Sequence, residues 1–136
     1  MRFMIVVKAT PASEAGVVPE LVAAVGKYHE ELARAGLLIE GAGLHPSSTG
    51  WRVKYSGGER TVVVGPFTET RELVAAYTLI RAKGREEALE WTKRFPDCFG
   101  GDGEIEVRQL LELEDLEQTE AIRATRTLGA ATKTTA

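Results

Sequence analysis

Residues 51–64 read WRVKYSGGERTVVV. Trp51, Val53 and Tyr55 alternate with Arg52 and Lys54, a period of two that gives a strand one oily and one wet face. Gly57-Gly58 supplies a two-residue turn, because glycine accepts the positive φ such turns demand. Pairing across that turn sets Trp51 opposite Val64 and Val53 opposite Val62 on one face. Gly65-Pro66 ends the return strand, since proline has no N–H to give to a ladder. The middle of the chain is therefore an antiparallel hairpin.

Toward the N-terminus, residues 37–44 (LLIEGAGL) read as a strand loosened by its glycines and ended by the HPSS of 45–48. Before it, Val18, Leu21, Val22, Val25, His29 and Leu32 recur at helical spacing, with Pro19 in a first turn and Gly36 as a stop. Glu20, Lys27, Glu30, Glu31 and Arg34 fall mostly on the other faces. Residues 2–8 are rich in large apolar side chains and form a first strand, bounded by a turn-like TPAS at 10–13. Toward the C-terminus, 76–81 reads as a strand and 85–95 as a helix carrying Ala88, Leu89, Trp91, Thr92 and Phe95, which Pro96 ends. Beyond the GGDG of 100–103, Ile105 and Val107 alternate with charged residues in a last strand at 104–110.

The order β-α-β-β-β-β-α-β has too few helices for a doubly wound parallel sheet. It predicts an α+β fold: a ferredoxin-like antiparallel sheet with two helices on one face, plus an added β-hairpin. One sheet face then lacks a helical cover while both faces carry apolar residues, which predicts a homodimer packed sheet against sheet. Residues 1–111 make the domain; 112–136 form a C-terminal extension, with a short charged helix at 112–126 and a flexible tail beyond it.

The 136 residues leave room for one domain plus short extras. With 17 Lys+Arg against 20 Asp+Glu the formal net charge is −3, which argues against nucleic-acid or anionic-membrane binding. The single cysteine, Cys98, excludes an intramolecular disulfide and a thiolate-rich metal site. The apolar N-terminal stretch is too short for a signal peptide or a membrane span, so a cytoplasmic location is expected.

Two histidines are the candidates for proton transfer, because imidazole titrates near neutral pH. His29 lies at the edge of the helix's core-facing stripe, where packing is the simpler role. His45 ends a strand before Pro46, either as a site residue or as a turn residue bonded to local backbone. Glu69, after the GPF turn, can pair with a histidine, or merely sit in a solvated loop like Glu72. Trp51, Phe67 and Tyr77 can wall an apolar substrate pocket, or belong to the core or a dimer interface. No metal is expected, because the two histidines are far apart with no ligand spacing. No cofactor is expected either: the GGDG of 100–103 does not open a helix. No Gly-x-Ser-x-Gly nucleophile motif is present.

Three stretches, EGAGLHPSS at 40–48, VGPFTETREL at 64–73 and EEALEW at 86–91 running on to IEVRQ at 105–109, together resemble the YCII-related, or DGPF-domain, proteins of bacteria. The resemblance implies the dimeric α+β barrel fold, whose members include small enzymes and ligand-binding modules. Val64 stands where the family's name-giving aspartate would be, and Ala75-Ala76 where glycines are often found before the aromatic at Tyr77. Some relatives carry a His–Asp pair suggested to be catalytic; His29 lies in a comparable helix, without a matched aspartate. Two functions follow. One is an enzyme acting on a small molecule through histidine acid–base chemistry; the other is a non-catalytic ligand-sensing or partner-binding module, since relatives adjoin or are fused to transcription sigma factors.

Overall fold

The computed structural model describes residues 1–116. Its elements are β1 (Arg2–Lys8), α1 (Pro11–Ala15), α2 (Pro19–Arg34), β2 (Leu38–Gly43), β3 (Trp51–Ser56), β4 (Glu59–Val64), β5 (Val74–Arg81), α3 (Arg85–Thr92) and β6 (Ile105–Gln109). Strands β2-β5-β1-β6 form one antiparallel sheet, in the order of a ferredoxin-like fold, and β3-β4 form a separate two-stranded sheet.

The alternation in β1 determines which face is dry. Phe3, Ile5 and Val7 are buried and stand beside Ile80, Thr78 and Ala76 of β5 on the face that carries the helices. On that face Tyr28 and Leu32 of α2 and Ala88 of α3 close a core with Leu37 and Ala82. Burying side chains the size of Ile5, Leu32 and Ile80 contributes roughly 1.5–3 kcal/mol each. The Tyr28 hydroxyl donates to the Trp91 carbonyl at 2.7 Å, and its ring meets Phe95 edge-on at 5.2 Å, so α2 and α3 are tied to each other as well as to the sheet. The opposite face holds Met4 beside Leu79 and Val6 beside Tyr77, all partly exposed.

The hairpin has the expected register, Trp51 opposite Val64 and Val53 opposite Val62, and both turn glycines have positive φ (58° and 80°). It stands apart from the main sheet, so Trp51 remains 68% exposed.

Besides α3 ending at Thr92 rather than at 95, the structure departs from expectation at three places. The TPAS segment is not a plain turn. It starts the short helix α1, with Thr10 and Ser13 exchanging backbone-to-side-chain hydrogen bonds in a capping box. On α2, Val22 is 60% exposed and Tyr28 is buried instead, so the buried stripe is rotated relative to the reading from spacing alone. At the C-terminal end, residues 113–115 form a single 3-10 turn, with Glu112 paired to Arg2 through two contacts at 2.8 and 2.9 Å. The rest of the expected 112–126 helix and the tail lie outside the described residues.

Candidate functional site

Helix α2 crosses the β2-β5 side of the sheet and leaves a cavity of about 450 Å³ between them. His29 reaches into this gap from the fourth turn of α2. In register, Gly41 of β2 is the partner of Thr78 of β5, and the imidazole lies over that pair. Its Nε2 is 2.7 Å from Thr78 Oγ1. Thr78 is only 1% exposed, so the imidazole is its way of satisfying a buried hydroxyl. The ring fits because residue 41 lacks a side chain: a Cβ there would come within 2.5 Å of Cε1.

Burial pushes the His29 pKa below its ordinary value of 6.5. The ring is therefore neutral at physiological pH and able to accept a proton. Among the described residues, its hydrogen-bonding partner is a hydroxyl rather than a carboxylate, so nothing in that contact favours the charged form.

His45 borders the same cavity from the segment after β2. Two residues on, Ser47 anchors that segment. Its backbone N–H donates to Glu14 Oε2 at 3.0 Å, and its hydroxyl donates to Glu14 Oε1. The same hydroxyl accepts the Phe67 N–H at 3.0 Å, just past the cis Gly65-Pro66 bond. Gly65 N–H in turn reaches the Gly50 carbonyl at 2.9 Å. The HPSS and GPF segments thus meet at Ser47, with α1 clamping them through Glu14.

Of the residues singled out from sequence, His29, His45 and Tyr77 line this one cavity. The pleat of β5 sets the Tyr77 side chain on the face opposite Thr78, and its carbonyl oxygen lies against Gly41. Trp51, Phe67 and Glu69 do not border it. Trp51 is on the projecting hairpin, Phe67 is half-buried under the Arg52 guanidinium at 3.9 Å, and Glu69 is exposed ahead of the 3-10 turn at Thr70–Glu72. Thr78, Gly41, Glu14 and Ser47 are parts of the site that sequence reasoning does not single out. The glycines of β2 were a visible signal, since glycine inside a strand often marks a close approach. A threonine in an apolar strand carries no such mark.

Among the described residues no cluster of three or more His, Cys, Asp or Glu could hold a metal ion. No described helix is long and apolar enough to cross a membrane.

Comparison with known proteins adds three findings. The family model for the YCII-related domain matches residues 1–114. An uncharacterized protein of Rhizobium meliloti (strain 1021) is 34% identical over 94 residues, covering 69% of this chain and 73% of that protein. Among solved structures, the chain is similar to the 5-chloro-2-hydroxyhydroquinone dehydrochlorinase TftG of Burkholderia phenoliruptrix AC1100, determined in complex with 2,5-dihydroxybenzoquinone. The TM-score is 0.47 at 18% identity, over 82% of this chain and 94% of that one.

Proposed function

We propose, from the premise that this chain belongs to the YCII-related domain family, that it is an enzyme moving a proton on a small molecule, with His29 as the acid–base group. The observation that carries this reading is an imidazole held at 2.7 Å from a buried hydroxyl beside a cavity of about 450 Å³. That volume is within the range of about 300–1,000 Å³ for small-molecule sites. Thr78 keeps the ring in one orientation, so the nitrogen it does not engage is the one available for exchange with substrate. His45, on the same cavity, is the second proton carrier, and the Glu14–Ser47 clamp limits where it can move. Glu69 is outside the cavity and has no part in this mechanism.

A second reading has its own support. Val64 stands where the resemblance implies an aspartate, and His29 has a hydroxyl for a partner, so among the described residues no carboxylate is seen to hold an imidazolium in place. A site built that way suits a non-catalytic ligand-sensing module linked to transcription regulation. In either case two copies pair in the cytoplasm through the open sheet face, where Met4, Val6, Tyr77 and Leu79 lie with no helix over them among the described residues.

The test begins with native mass spectrometry of the full chain purified gently, which reads subunit count and any retained small molecule together. Retained or extracted compounds are then incubated with wild type and with His29→Gln, and followed by mass spectrometry. Consumption by wild type that the variant loses, with its circular dichroism unchanged, supports the enzyme. Retention without turnover supports the module. If the protein neither retains nor consumes any compound, both readings are overturned; a monomer overturns the pairing.

A further inference from the structure

The wall of the His29 cavity differs in composition from the rest of the molecule. Charged residues make up 27% of the chain, yet among the described residues no Lys, Arg, Asp or Glu borders this cavity. That is not a general property of its clefts. Lys8, Arg71, Asp102 and Glu104 line one beside the start of α1, and Lys93, Asp97 and Asp102 another beyond α3. Here one side is Leu21, Val22 and Val25 of α2, and the other is Gly41, Gly43 and Ala76 of the sheet.

Tyr77 borders the cavity only from its strand backbone, so three polar side chains reach the wall: Ser13, His29 and His45. Ser13 is already committed, donating its hydroxyl hydrogen to the Thr10 carbonyl at 3.1 Å and accepting the Thr10 N–H at 2.8 Å. Two imidazoles remain for a ligand. Neither a carboxylate nor an ammonium group would meet an opposite charge in this wall, and burying an ion without one is costly. His29 does not fill that role, because burial holds it neutral. Around the mouth, Val17, Val22 and Leu44 are large apolar side chains left exposed, and an apolar ligand would cover them. On the sheet side the imidazole already covers Gly41, but Gly43 and its register partner Ala76 leave the strand backbone open, with nothing among the described residues within 4 Å of where a Cβ at Gly43 would be, and a ring can lie there.

We infer that the cavity takes an uncharged, ring-containing apolar molecule bearing one hydroxyl, which hydrogen-bonds to an imidazole of His29 or His45. This rests on the reading of the cavity as the substrate or ligand site, and it adds the chemical class.

The experiment compares two probes of one shape, 2-naphthol and 2-naphthoate, on the full chain at pH 7.5. Side-chain nuclear magnetic resonance of the histidines reports location, and titration reports dissociation constants. The expected result is that 2-naphthol shifts the His29 or His45 signals and binds at least tenfold more tightly than 2-naphthoate. Val22→Lys, at an exposed helix position that tolerates lysine, should place a cation in the wall and narrow or reverse that preference at least tenfold. Equal or tighter binding of 2-naphthoate to the wild type would overturn the inferred class while leaving the cavity as a ligand site. If neither probe moves a histidine signal, the class and the underlying reading fail together.

Discussion

Replacing Gly41 by alanine tests how the imidazole is seated. The new Cβ would lie 2.5 Å from His29 Cε1, 3.0 Å from Nε2 and 3.2 Å from the Tyr77 carbonyl oxygen. A backbone carbonyl in a paired strand yields little, so the ring must move. It cannot move far without giving up the 2.7 Å contact to Thr78, whose hydroxyl is buried and would then lack that partner. Stranding such a group costs about 1–3 kcal/mol, and keeping the ring in place against the methyl costs a similar amount, about 1–3 kcal/mol, in overpacking. These are alternatives, so Gly41→Ala should destabilise by about 1–3 kcal/mol, read as the urea midpoint at pH 7.5. The decisive comparison is the same substitution in a His29→Ala background. There the clash is gone, and alanine's smaller unfolded-state entropy offsets the tight approach to Tyr77 by about 0.4–1 kcal/mol. Gly41→Ala should then be within about 0.5 kcal/mol of neutral. If the two substitutions instead add, the imidazole is not seated on Gly41 and the proposed geometry of the site is wrong.

Three further outcomes follow from single contacts. Because burial lowers the His29 pKa, the unfolded chain binds that proton more readily, so stability should fall as pH drops below about 6.5, at no more than about 1.4 kcal/mol per pH unit. His29→Gln should flatten this fall in urea midpoints between pH 7.5 and 5; an unchanged slope would mean that other groups cause it. Glu14→Ala removes the acceptor for both the Ser47 N–H and its hydroxyl, at a cost of about 1–2 kcal/mol, and should speed hydrogen exchange at Ser47 and Phe67; unaltered exchange there would sink the clamp. The Tyr28 phenol is pushed up to about 12 by burial, so its contribution is complete below pH 10 and lost as the pH rises from there through about 12. Tyr28→Phe should cost about 1–2 kcal/mol at pH 7.5 and remove a late, alkaline step from the tyrosine absorbance titration, which a wild type lacking that step would refute.

Local patterning accounts for most of the fold. Alternation in residues 2–8 and 51–64, helical spacing from Pro19, and the order of elements are each written in neighbours a few positions apart, and backbone geometry turns them directly into strands and helices. The cross-strand pairs of the hairpin were legible for the same reason, since a two-residue turn leaves a single register. The α1 segment resembles a turn in sequence because five residues are too few to show a period. Spacing does not set the phase of α2 at Val22 and Tyr28: several adjacent positions are apolar, and the sheet chooses which of them it covers.

The site divides along the same line. Sequence alone determined that two histidines are the groups able to move protons near neutral pH, and that glycines loosen the strand ahead of His45. It could not bring those histidines to one cavity, supply Thr78 as the partner of His29 from 49 positions away, or join Glu14 to Ser47 across 33. Nor could it leave Glu69 and Trp51 outside. Those outcomes depend on where β5 is inserted beside β2 and how α2 crosses them. Such placements are set by packing among segments distant in the chain, and no window of neighbouring residues records them.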